Sequence, residues 1–191
     1  MPTPSNEVPE QVSRVVNLVP KPFLDSLLML HSRLDSKDID WALGGNFAEF
    51  LKVIKVDIDS IEILAAKEDA ERIFDAVKDL KPSKPDFMIH VLERKARING
   101  VEYPVYTKSY FFEFEANGVA VKVYGDLQYR INEWDWGDKL EFTPEFTYVV
   151  GRKTALVPLS VKNEIYQMLG WDDRVEKIKA VTEKPKQVSQ R

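Results

Sequence analysis

The sequence has no cysteine among its 191 residues and only two histidines, His31 and His90. The lack of cysteine excludes disulfides, thiolate zinc sites, iron–sulfur clusters and a cysteine nucleophile. No apolar run approaches the roughly 20 residues that a membrane helix needs. The polar, proline-rich start lacks the basic and apolar segments of a signal peptide. We therefore expect an intracellular, cytoplasmic protein that has no membrane partner.

The charge balance is mildly acidic. Lys and Arg total 27, Asp and Glu total 31, and the formal net charge is −4. A nucleic-acid partner is possible but is not indicated, because nucleic-acid binders usually carry a basic excess. Hydrophobic residues at 44% are typical of a globular chain whose length suits one domain. We expect an extended lead-in over residues 1–20, a single domain over 21–182 and a flexible tail over 183–191.

Helical and strand patterns alternate through the first half, and a β-rich half follows. An apolar stripe at helical spacing runs through Phe23, Leu27, Leu30 and Leu34. The patterns predict helices from Pro22 and over 46–54, 67–80, 161–169 and 173–181, strands at 41–43 and 60–65, a hairpin of 106–115 with 119–124, a strand or buried turn at 87–92, and irregular β-structure over 128–150. This order predicts an α/β (α+β) fold: a mixed β-sheet with helices packed mainly on one face.

A glycine pair and a run of carboxylates carry the clearest chemical signal. Gly44 and Gly45 end a strand and open a helix, where glycines let a phosphate approach the backbone N–H groups. The carboxylates that follow are Asp57, Asp59 and Glu62. Because alternate strand residues point the same way, two carboxylates two positions apart can hold Mg²⁺, which also binds nucleotide phosphates. The pattern predicts a magnesium–nucleotide site, and its plain alternative is a tight turn followed by a solvated loop.

This stretch resembles the nucleotidyltransferase superfamily, which has the DNA polymerase beta-like fold. The resemblance is carried by LGG at 43–45, by DID at 57–59 and by the strand and helix SIEILAAKEDAERIFDAV that follow. It is strongest over residues 23–80 and looser over 118–180. The chain looks most similar to small, single-domain archaeal members of unknown function.

The resemblance implies transfer of a nucleoside monophosphate from Mg-NTP, with ATP as the expected nucleotide, to a hydroxyl acceptor that it does not identify. It implies nucleotide binding by Gly44, Gly45 and Asn46. It implies Mg²⁺ binding and catalysis by Asp57, Asp59 and Glu62, with Asp126 as a further catalytic residue. Family members often carry a lysine near the start of a late helix, where Lys162 stands here.

Two alignments with the family's Asp-x-Asp pattern remain open. In the first, Asp57 and Asp59 bind the metal, and Glu62 then lies on the opposite face of the strand. In the second, the pair falls on Ser60 and Glu62, which leaves a clean apolar face of Ile61, Ile63 and Ala65. We favour the second alignment. It puts a serine in place of an aspartate, and a hydroxyl is a poor ligand for a catalytic metal, so transfer is impaired.

The later strand VAVKVYGD shows a similar departure. The family places a third carboxylate on such a strand, but Lys122 occupies the middle position here. Asp126 has the same parity and follows Gly125 at the strand exit. If Lys122 is the equivalent residue, its cation replaces part of the metal's charge beside a nucleotide phosphate without supporting catalysis.

Two alternatives to an active transferase follow. The departures at Ser60 and Lys122 favour a non-catalytic, nucleotide-sensing module. The second alternative is a protein-interaction module that uses exposed aromatic residues of the C-terminal half. The aromatic candidates are Trp134, Trp136, Phe142, Phe146 and Tyr148.

Overall fold

A computed structural model describes residues 18–183, so most of the expected lead-in and tail lies outside the described residues. In this range the chain forms five α-helices and nine β-strands. The helices are α1 (Lys21–Leu34), α2 (Gly45–Leu51), α3 (Lys67–Ala76), α4 (Leu159–Met168) and α5 (Asp172–Thr182). The strands are β1 (Ala42–Leu43), β2 (Ser60–Ala65), β3 (Asp86–Val91), β4 (Ala96–Ile98), β5 (Val101–Tyr103), β6 (Val105–Ala116), β7 (Val119–Ile131), β8 (Glu145–Val149) and β9 (Arg152–Leu156).

Seven of these strands form one mixed sheet in the order β3-β6-β7-β2-β1-β9-β8. The pairs β2–β7 and β1–β9 are parallel, and the other neighbours are antiparallel. Strands β4 and β5 form a separate hairpin. The expected α/β (α+β) fold with a mixed sheet is therefore confirmed.

The main core lies on one face of the central strands. Ile61 and Ile63 of β2 are fully buried beside Val121 and Val123 of β7. Helices α1, α2 and α3 cover this face, with Leu27, Phe47 and Ile73 among their buried residues. Because strand side chains alternate, this packing turns Ser60 and Glu62 to the opposite face. Helices α4 and α5 pack in a second cluster with Ile54, which follows α2.

Strand β7 is longer than the sequence pattern predicts. It continues from Tyr124 to Ile131 through a β-bulge, where the register with β6 shifts and Asp126 has φ of +53°. A bulge adds one residue to a strand and re-aims its side chains. Gly125 and Asp126 therefore interrupt the alternation of inward and outward side chains along β7, but the strand continues beyond them.

The region after β7 contains a strand that the sequence pattern missed. Residues 128–150 were expected to be irregular, but Glu145–Val149 forms β8. The missed strand is β9, which pairs with β8 in an antiparallel hairpin. Strand β9 begins with the exposed Arg152 and Lys153, whereas Thr154 and Leu156 are fully buried. Its two charged first residues conceal the strand pattern.

Residues 87–92 lie at the edge of the sheet. All but Leu92 belong to β3, which pairs with β6, so the strand alternative is confirmed and the buried-turn alternative is wrong. Phe87, Ile89 and Val91 are more than half exposed. These apolar residues therefore do not belong to the core.

The helices are short, and the longest, α1, has 14 residues. Within residues 18–183, none is long and apolar enough to cross a membrane.

Candidate functional site

The glycine pair fits tightly against β2. The backbone N–H of Gly44 donates to the Glu62 carbonyl over 2.8 Å. A Cβ on Gly44 would lie 2.3 Å from Leu64 Cδ1, and one on Gly45 would lie 2.5 Å from the Glu62 carboxyl carbon. Gly45 also has φ of +54°, which favours glycine. Both glycines thus have a steric role in the turn, and their assignment to nucleotide binding stays a prediction.

Glu62 and Lys122 are neighbours on the open face of the sheet. They are direct partners in the parallel β2–β7 register, and both are half-buried. Lys122 is also the cross-strand partner of Glu113 in β6. Three adjacent strands therefore carry a row of carboxylate, ammonium and carboxylate.

The electrostatic balance around Glu62 reflects competition between burial and neighbouring lysines. Burial raises the pKa of Glu62 above its ordinary 4.5, and the positive charges of Lys162 and Lys122 oppose that shift. Burial likewise raises the pKa values of the Tyr124 and Tyr129 hydroxyls, and the charge of Glu62 adds to both shifts.

A buried ionic network connects the turn to the C-terminal helices. Glu49 of α2 is 1% exposed and accepts hydrogen bonds from Lys162 Nζ at 3.1 Å, from Arg174 at 3.2 Å and from the Tyr166 hydroxyl. Lys162 Nζ also donates to the Gly45 carbonyl. Burial lowers the pKa of Lys162 against the opposing charge of Glu49. The network ties α4 and α5 to the start of α2.

The side chain of Asn46 holds the segment that precedes β2. Its Nδ2 donates to the carbonyl of Asp57 over 2.9 Å, and its Oδ1 accepts from Arg174. Asp57 and Asp59 are exposed and lie before the strand begins. The Ser60 hydroxyl donates to Asp59 Oδ1 over 2.9 Å. Of the three predicted metal ligands, Glu62 is therefore the one within β2.

Asp126 lies at the bulge of β7 and makes its contacts elsewhere. Its carboxylate accepts from the backbone N–H of Lys67, the first residue of α3, at 3.2 Å and from Lys139 Nζ at 2.5 Å. A carboxylate at a helix N-terminus is favoured by the helix dipole. Asp126 thus has a structural role there, and its catalytic assignment stays a prediction.

The donor set around Glu62 decides whether catalytic magnesium ions fit. Active two-metal sites need several converging oxygen anions. Across residues 18–183, no group of three or more His, Asp or Glu side chains converges in a way that could hold a metal ion. Ser60 offers only a neutral hydroxyl. The positive charges of Lys122 and Lys162 already stabilise the ionised Glu62 carboxylate. This set does not fit a pair of catalytic Mg²⁺ ions, and the Mg²⁺ cofactor stays a prediction.

Sequence reasoning missed the network around Glu49. The available signal was a carboxylate within the apolar run Phe47–Leu51. A buried acid needs a partner. Arg174 gave no signal, because it lies in a charged segment that is typical of a solvated helix.

The substitution Glu49→Ala tests the network. It leaves Lys162 and Arg174 without their buried carboxylate, and we expect a loss of about 3–5 kcal/mol in the free energy of unfolding. The matched control is Glu71→Ala, which removes an exposed pair with Lys67 at 2.7 Å and should cost less than about 1 kcal/mol. Urea denaturation measures both, and equal losses would contradict the assignment.

The raised pKa of Glu62 gives a pH dependence of definite sign. The folded state binds the Glu62 proton more tightly than the unfolded state does, so this contribution is fully present below about pH 4.5 and is lost as pH rises through the folded pKa. We expect the unfolding free energy of the wild type minus that of Glu62→Gln to fall with pH above 4.5, by at most about 1.4 kcal/mol per unit. Denaturation across pH, with the exposed Glu176→Gln as control, measures the slope. A difference that rises with pH contradicts the burial effect.

Comparisons with known proteins connect this geometry to a fold. No protein-family model matches the chain, and no curated protein matches it. A solved structure of a candidate nucleotidyltransferase from Thermotoga maritima is 20% identical, with a TM-score of 0.61 over 87% of this chain and 97% of that one. The structure of ANT(2″)-Ia with adenylyl-2″-tobramycin is 8% identical, with a TM-score of 0.48 over 83% of this chain and 88% of that one. The first likeness shows that the chain has the nucleotidyltransferase fold.

Proposed function

We propose that the chain binds a nucleoside triphosphate, with ATP as the expected one, and has lost most or all capacity for nucleotidyl transfer. The proposed binding surface consists of the Gly44–Gly45 turn and, beside it, Glu62 and Lys122. The nucleotidyltransferase fold supports this location. The partial exposure of Glu62 and Lys122 supports it as well, because helices α1 to α3 cover the other face of the sheet.

The position of Lys122 beside Glu62 is the observation that carries the proposal. Transfer of phosphoryl and nucleotidyl groups depends on positioning and on stabilising the charge of the transition state. An ammonium in this row repels a metal ion and attracts a phosphate. Ser60 stands where the second alignment expects an aspartate, so a carboxylate that would bind the metal is absent at that position. The same substitutions thus favour binding of the nucleotide and disfavour its transfer.

A second candidate function is Mg²⁺-dependent transfer by Asp59 and Glu62. It is favoured by one observation: burial is the main cause of the raised pKa of Glu62, and the negative charge of Asp59 adds to it, so the two carboxylates repel each other. A cation between them relieves that repulsion. In this alternative Asp57 and Asp126 complete the catalytic set.

Calorimetric titration with ATP and GTP separates the two functions. We expect both nucleotides to bind, with a dissociation constant that changes less than about threefold when EDTA replaces Mg²⁺. We expect Lys122→Ala to weaken it about tenfold, or ~1.4 kcal/mol, because a cation next to the phosphates is lost. The matched control is Lys177→Ala on the exposed side of α5, which should leave the affinity unchanged.

Two results count against the proposal. Binding that EDTA and Asp59→Ala both abolish supports the metal-dependent transferase instead. No binding of either nucleotide at millimolar concentration excludes both functions and leaves the protein-interaction alternative.

A further inference from the structure

A cavity of about 530 Å³ opens on the same sheet face as Glu62, further along the strands. Leu64, Tyr124 and Leu127 form part of its floor. Leu64 is two residues beyond Glu62 and therefore shares its side of β2. The volume is in the range of small-molecule sites, which are mostly apolar with a few polar groups. The aromatic and aliphatic walls are Trp41, Leu140, Phe142 and Phe146.

The Trp41 wall is held in place by a buried histidine. The centroids of the His31 and Trp41 rings are 5.1 Å apart, with the rings inclined at 57°. His31 is 2% exposed, and its two nitrogens hydrogen-bond Asp35 at 3.0 Å and the Thr154 hydroxyl at 2.9 Å. Because both ring nitrogens are engaged, the histidine has one orientation and gives Trp41 a fixed neighbour. The aromatic wall is therefore preformed, which lowers the entropic cost of binding a ligand.

The charges at the rim are not balanced. Asp126 pairs with Lys139 at 2.5 Å, and the Lys153 ammonium lies 3.9 Å from the centroid of the Phe146 ring. Asp40 and Glu141 also line the cavity, and neither has an ion pair within 4.0 Å among residues 18–183. Lys153 likewise has no ion pair among residues 18–183, so the unpaired charges at the rim are two carboxylates and one ammonium, and their sum is negative.

We propose that this cavity binds a small organic cation, an amine or ammonium group attached to an aromatic or aliphatic body. The body packs on Leu64 and Trp41, and the cationic group lies toward Asp40 and Glu141. Indole rings attract cations through their faces, by about 0.5–2 kcal/mol. An anionic ligand of the same shape meets repulsion at the rim. This site requires no nucleotide and goes beyond the function proposed above.

A matched pair of ligands tests the charge preference. 1-Naphthylmethylamine and 1-naphthoate carry the same ring and opposite charges at neutral pH. We expect the amine to bind the nucleotide-free protein at least about tenfold tighter by calorimetry. Because no nucleotide is present, failure here is separate from failure of nucleotide binding.

Three variants locate the site. Trp41→Ala should weaken amine binding about tenfold, whereas Trp134→Ala, at a tryptophan that is 52% exposed and does not line the cavity, should change it less than about twofold. The double variant Asp40→Asn/Glu141→Gln changes only exposed rim residues and should remove the preference for the amine. Thermal melting verifies that each variant is folded. Equal binding of the naphthoate, no effect of the double variant, or no binding of the amine at millimolar concentration overturns the proposal.

Discussion

The parallel pairing of β2 with β7 is the constraint on which the rest of the molecule depends. It places Ile61 and Ile63 beside Val121 and Val123, under helices α1 to α3. The same register places Glu62 beside Lys122 on the open face. A slip of one residue would exchange the two faces and expose the apolar set, so the core specifies the register strongly. The packing that stabilises the sheet thus also determines which charged side chains meet on its other face.

Opposite charges and burial act together at the Gly44–Gly45 turn. Glu49 holds Lys162 and Arg174 in a buried network, and Lys162 also contacts the carbonyl of Gly45. A buried carboxylate and a buried ammonium are tolerated because each satisfies the other. The late helices are therefore part of the site: they hold the glycine turn at the distance from β2 that only glycines permit.

The sequence predicted the elements whose pattern is local. Ser60–Ala65 is a short run rich in isoleucine and leucine, and the strand has those bounds. The continuation of β7 past Gly125 was missed, because a glycine followed by an acid reads as a strand exit whereas pairing with β6 persists across the bulge. In the site, sequence patterns identified Glu62 and Lys122 as residues of interest. They could not reveal that Arg174 reaches Glu49, 125 positions earlier in the chain, because such a contact depends on the tertiary fold.

We propose that Ser60 and Lys122 stand at the positions where a metal site would carry carboxylates. Calorimetric titration of ATP into the wild type and into the double variant Ser60→Asp/Lys122→Glu, each with Mg²⁺ and with EDTA, tests it most directly. The account predicts that metal leaves wild-type affinity unchanged within about threefold and raises that of the double variant by about tenfold, because two restored carboxylates join Glu62. Mg²⁺-dependent binding by the wild type, or no metal dependence in the double variant, would contradict the account.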